Sequence, residues 1–142
     1  EKKLIDSDHI FFVNKFIIPA QGIISGVFGS QRILNGKVKS PHRGLDIAAA
    51  EGEPVFATND GIVILAENEL YYTGGTIMIE HGHGVKSIYA HMSAVYVQVN
   101  EVVSKNQRIG AVGSTGRSTG PHLHWGVMHL NTYVDPALLI KN

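Results

Sequence analysis

Apolar residues in this chain come in short bursts or strict alternation, punctuated by glycine, asparagine and aspartate. A period of two marks strands, because successive side chains on a strand point to opposite faces. EPVFATNDGIVILAE (residues 53–67) predicts two strands around Asp60-Gly61, a favourable hairpin pair because both turn residues tolerate positive φ. TIMIEHGHGVKSIYAH (76–91) predicts a second hairpin, turning within His81-Gly82-His83-Gly84. In AVYVQVNEVV (94–103), Val95, Val97 and Val99 alternate and give one face to the core. QRIGAVG (107–113) and HLHWGVMH (122–129) supply further strands. Only DPALLIKN (135–142) predicts a helical turn, with Asp135 as N-cap and Pro136 at the first helical position. SQRILNGKVKSPHRG (30–44) and ENELYYTGG (67–75) read as longer loops. The expected fold is mainly β, built of antiparallel hairpins with little helix.

Composition narrows this picture. A chain of 142 residues suits one domain. Apolar residues at 44% and charged residues at 17% are an ordinary globular balance. Twelve Lys plus Arg against twelve Asp plus Glu leave no net charge, which argues against a nucleic-acid partner held by a strong basic footprint. There is no cysteine, so thiolate metal sites, cysteine nucleophiles and disulfides are excluded. HIFFVNKFIIPA (9–20) is apolar but broken by Asn14 and Lys15, short of the ~20 residues of a membrane span. Residue 1 is Glu1, so a processed form or excised domain is expected, with residues 1–18 an extension or remnant and 19–142 the domain.

Candidate chemistry rests on eight histidines: His9, His42, His81, His83, His91, His122, His124 and His129. Histidine commonly fills half-buried positions with no further role, so grouping matters more than number. In SPHRGLDIAA (40–49), His42 and Asp46 are four apart, with His42 expected at a loop end and Asp46 entering a strand. Imidazole nitrogen with carboxylate oxygen suits a divalent cation such as zinc. It equally suits an aspartate that merely orients a histidine. His122 and His124 project from one strand face, their Cβ atoms roughly 6.7 Å apart. Both could bind one metal, or one could bind while the other does acid–base work. Spacing does not choose between these.

His81-Gly82-His83 is also His-x-His, but a glycine-flanked hairpin tip is a poor place for a preorganised site. His91 ends the alternation Val85, Ser87, Tyr89, His91 and is expected on the face those residues share. His9 and His129 have no partner in the pattern. The chain has no His-Glu-x-x-His, no Gly-x-Ser-x-Gly and no phosphate loop. GSTGRSTG (113–120) precedes a strand, so it is expected to shape a site wall rather than cradle a nucleotide.

The ordered series SGVFGSQR, HRGLDIAA, EPVFATNDGIV, IEHGHGVKSIYAHMS and QRIGAVGSTGRSTGPHLHWGV resembles the lysostaphin-like, LytM-type zinc metallopeptidases of bacterial cell-wall turnover. The resemblance covers residues 19–136. It implies a groove across an antiparallel sheet and one zinc ion held by His42, Asp46 and His124. It makes His91 and His122 the catalytic pair, and it places His81 outside the metal site. Three protein ligands leave zinc a fourth position open, as in catalytic sites. The implied substrate is a peptidoglycan crosslink or stem peptide. The implied location is the cell envelope: periplasmic, secreted or anchored outside the cytoplasm. A monomer is expected, with an upstream segment that occludes or regulates the site as a possible partner. The alternative is a degenerate, non-catalytic relative that activates a cell-wall amidase. Such relatives lack metal ligands, and this chain keeps all five positions. A carrier module of the lipoyl or biotinyl kind stands further back, since no modified-lysine hairpin is recognisable.

Departures from the family pattern are few. FGSQR is one residue longer than usual. Asn100 and Asn106 stand at turns where the family favours glycine, and Trp125 replaces Phe or Tyr beside a zinc ligand, where it is expected to alter the groove.

Overall fold

In the computed structural model, residues 16–30, 33–34, 37–38, 42–116, 118 and 120–140 are described. His9 and residues 1–15 of the expected extension lie outside them, as do residues 31, 32, 35, 36 and 39–41 of the expected 30–44 loop. The described residues form an almost entirely antiparallel β domain. Strands in chain order are β1 (Ile23–Gly26), β2 (Ile33–Leu34), β3 (Lys37–Val38), β4 (Leu45–Ala48), β5 (Pro54–Phe56) and β6 (Gly61–Leu70). They continue with β7 (Gly74–Gly82), β8 (Val85–Val95), β9 (Val102–Val103), β10 (Arg108–Val112), β11 (His122–His129) and β12 (Thr132–Val134). The main sheet runs β1-β4-β11-β8-β7-β6-β9, with β12 beside β11 and β10 bridging β5 and β8. None of the described helices is long and apolar enough to cross a membrane.

The β7–β8 hairpin turns at His83-Gly84, with φ of 54° and 80°. Two positive φ values match the right-handed twist of the flanking strands. Asn100 and Asn106 sit at φ of 78° and 72°. Asparagine is the residue that best replaces glycine there, because its short side chain bonds locally. Asp135 accepts from the Ala137 N–H at 3.0 Å and caps the 3-10 turn Pro136–Leu139 as expected.

Several expectations are corrected. Asp60-Gly61 is not a hairpin turn: β5 pairs with β10, and neither residue has positive φ. The chain from Ala57 to Asp60 is held instead by the Gln107 carbonyl, by Asn106 and by the Tyr89 hydroxyl. The expected 67–75 loop is mostly strand, since β6 runs to Leu70 and only Tyr71–Thr73 turn. The expected 30–44 loop contains the short β2–β3 pair. Val97 is buried but Val99 is half exposed, because the Gln98–Glu101 turn has begun.

The core lies on the sheet face away from the site. It contains Leu45, Ile47, Val63, Ile77, Ile79, Val85, Tyr89, Ile109, Leu123, Trp125 and Val127, each 2% exposed or less. Each such side chain contributes about 1.5–3 kcal/mol by leaving water. Alternation therefore anchors β4 and β11 through Leu45, Ile47, Leu123 and Trp125, and leaves Asp46, His122 and His124 on the opposite face.

Candidate active site

Register brings the first three groups together. His124 pairs with Asp46 across β11 and β4, so the two side chains leave the same face side by side. His42 approaches from the loop before β4. Its Nδ1–H donates to the Val27 carbonyl at 3.0 Å, because a carbonyl only accepts. That leaves the Nε2 lone pair directed inward, 3.2 Å from Asp46 Oδ1. Nδ1 of His124 lies 3.0 Å from the same oxygen. One donor atom from each of the three residues lies within 4.8 Å of the others. Neighbouring ligands of a tetrahedral zinc, at about 2.0–2.1 Å bonds, stand about 3.3 Å apart. Donor types and separations therefore fit zinc. Burial pushes the Asp46 carboxyl up, but the hydrogen bond from His124 and the charges of His42, His124 and His122 outweigh it, so its pKa lies below the ordinary value. The carboxylate therefore favours its ionised form, the form a metal ligand would need.

His91 and His122 form a second pair, with ring centroids 4.9 Å apart. His122 Nδ1 donates to the Gly120 carbonyl at 2.9 Å, with Ser118 Oγ at 3.3 Å. His91 Nδ1 donates to the Thr115 carbonyl at 2.7 Å. Both rings thus present Nε2 as an acceptor to the groove. Burial lowers the His91 pKa; the Thr115 bond and Asp46 oppose this, while His122 and His124 add to it, and the net position is below the ordinary value. His91 is therefore a neutral base near pH 7.

How His91 reaches the groove differs from the strand expectation. Strict alternation would place it with Val85, Ser87 and Tyr89, all on the buried face. Instead His91 has φ of 65°. It marks the point where β8 stops pairing with β11, at Ala90↔His124, and starts pairing with β10, at Met92↔Val112. A bulge at such a switch re-aims a side chain. The ring turns out of the core and onto the face that carries His122 and His124.

The groove encloses about 470 Å³ and is lined by all five residues with Ser25, Ala48, Ser118, Gly120 and Pro121. Of the described residues in 113–120, Ser118 and Gly120 line the groove wall, and the Gly113↔His122 bridge ties the start of the segment to β11. Trp125 is corrected: it is fully buried on the core side and does not reach the groove, and its indole N–H has no partner among the described residues. His81 lies outside the site, but not at a loose tip. It is in β7, with Nδ1–H donating to the Asp60 carbonyl and Nε2 accepting from Ser87, each at 2.7 Å. His129 ends β11, paired with Val85 and Thr132, away from the five. The carbonyls of Val27, Thr115 and Gly120 were not foreseeable, because every residue carries one.

Fold and site define a class: an antiparallel β domain with a His–Asp–His group that could hold a metal ion, beside two accepting imidazoles. The chain belongs to peptidase family M23, whose profile matches residues 40–136. It is 43% identical over 86 residues to peptidoglycan DD-endopeptidase ShyA of Vibrio cholerae, covering 61% of this chain and 20% of the relative. A zinc-containing peptidase structure from Vibrio cholerae superposes with a TM-score of 0.80 at 35% identity, over 90% of this chain and 40% of that one. The catalytic domain of lysostaphin from Staphylococcus simulans gives a TM-score of 0.68 at 29% identity, over 94% of this chain and 97% of that one. The chain spans about a fifth of the length of the curated relatives it matches.

Proposed function

We propose that the domain is a zinc-dependent endopeptidase that hydrolyses a peptide bond of peptidoglycan, in the crosslink or the stem. The observation that carries this reading is the convergence in one groove of His42, Asp46 and His124 with the Nε2 atoms of His91 and His122. His42, Asp46 and His124 hold one zinc ion in this reading, and His91 and His122 are the catalytic pair. Bound there, zinc would supply Lewis acidity, which polarises a carbonyl and acidifies water. The protein's own groups handle the protons. An accepting Nε2 takes a proton from the attacking water, and the resulting N–H can bond the developing oxyanion or protonate the departing amine. Keeping all five residues disfavours a regulator that merely activates an amidase. The DD-endopeptidase similarity favours a D,D-crosslink as the bond and a location outside the cytoplasm.

The test is digestion of purified peptidoglycan with and without chelator, reading new amino termini by mass spectrometry. Chelator-sensitive termini at one bond are expected. Their absence across several wall types would sink the enzyme reading.

A further inference from the structure

We propose that Thr115 is a positioning residue for His91, fixing its tautomer and its direction through a hydroxyl clamp. The inference rests on the reading of His91 as part of the catalytic pair. His91 occupies a left-handed conformation at φ of 65°, which a histidine does not hold unless its surroundings over-determine it. Two contacts do so: its N–H donates to the Thr73 carbonyl at 2.6 Å, and its Nδ1–H to the Thr115 carbonyl at 2.7 Å. The second comes from the groove-wall loop, so its value depends on where that loop is held.

The Thr115 side chain holds it. Its hydroxyl donates to the Met92 carbonyl at 2.7 Å and accepts from the Gly75 N–H at 3.0 Å. Gly75 and Met92 face each other across β7 and β8, one residue beyond His91. The hydroxyl therefore bridges a ladder pair at the bulge, which needs a group that both donates and accepts. Packing closes the same joint. A Cβ on Gly74 would meet Thr115 atoms at 2.2–2.6 Å, and one on Gly116 would meet the Tyr72 carbonyl at 2.6 Å. Side chain and main chain of one residue thus act together: the hydroxyl ties the loop to both strands, and the carbonyl selects the Nδ1–H form of His91.

Thr115→Val keeps the shape and removes the clamp, whereas Thr115→Ser keeps the clamp. Imidazole 15N spectra of the zinc-loaded protein should show His91 protonated at Nδ1 in the parent and in Thr115→Ser, and a tautomer mixture in Thr115→Val. On peptidoglycan fragments, Thr115→Val should lower kcat about 10- to 100-fold with KM and zinc content unchanged, and Thr115→Ser should restore it. An Nε2–H tautomer in the parent would overturn the proposal, even if Thr115→Val does not fold. So would a Thr115→Val protein that keeps kcat, or equal losses in the two variants. If the parent cleaves nothing, the functional reading fails while the tautomer spectra still decide the role of Thr115.

Discussion

At the scale of single residues, the proposed reading gives five side chains two jobs, and within the His-x-His pair the contact at Nδ1 differs. The Nδ1 of His124 is turned to Asp46, while that of His122 is engaged by Gly120. His124→Ala should lose bound zinc; His122→Ala should keep it and lose activity. Metal analysis beside an activity assay checks this, and the reverse pattern would exchange the two roles. His91 provides a separate test. A non-glycine residue in the left-handed region costs about 1–2 kcal/mol. His91→Gly relieves that cost while deleting the imidazole, so activity should vanish as stability holds or rises by about 1 kcal/mol. Urea denaturation reads the second half, and a large destabilisation would show that the ring supports the fold. Motif order brought these residues forward as candidates, but it did not reveal the outward turn of His91. Alternation put it on the Tyr89 face, and only the switch of β8 from β11 to β10 reverses that.

At the scale of elements, close approach matters more than composition. Gly44 lies under the site: a Cβ there would come within 2.5 Å of the Trp125 carbonyl and 2.8 Å of the His124 ring. Gly126 lies nearby, where a Cβ would make ordinary contacts at 3.5–3.9 Å. Gly44→Ala should therefore weaken zinc binding about tenfold or more by displacing His124, and Gly126→Ala should leave it near the parent value. Competitive zinc titration distinguishes them; equal behaviour would remove the packing argument.

On the opposite face, β7 and β8 are joined by a chain of hydrogen bonds from Thr58 through Tyr89 and Ser87 to His81. Burial dominates at His81 and lowers its pKa from 6.5, against the opposing Asp60 bond and the Glu80 and Asp60 charges. The folded state then binds fewer protons than the unfolded state. Stability should be fully present above about pH 6.5 and fall as pH drops through the lowered folded value. His91 shifts the same way. Urea midpoints from pH 8 to pH 5 should decline toward acid, and His81→Gln should flatten part of that slope. The sequence offered His81 as a competing His-x-His. Nothing local marks it as structural, because its partners Asp60 and Ser87 are set by strand pairing.

At the scale of the whole molecule, core and site lie on opposite faces of the same strands. Leu45, Ile47, Leu123 and Trp125 are buried behind Asp46, His122 and His124, so the core does not need the metal to form. Chelation should lower Tm, since a metal that prefers the folded state contributes up to about 2.7 kcal/mol at a hundred times its Kd. The strand signature in far-ultraviolet circular dichroism should persist at room temperature. Unfolding on chelation would contradict this separation.

The sequence by itself determined the strands within 53–67, 76–91, 107–113 and 122–129, a turn within His81–Gly84, the Asp135 cap and the common face of His122 and His124. Each depends on neighbours a few residues apart, whose period and backbone freedom are local properties. It also supplied the five candidate residues, through the order of their motifs. The tertiary structure decided the pairing of β5 with β10, the burial of Trp125 away from the groove and the reversal of His91. It also set the carbonyls that fix three imidazole tautomers. Those depend on which distant strand lies alongside, and a backbone carbonyl carries no mark in sequence until the fold places it against a ring.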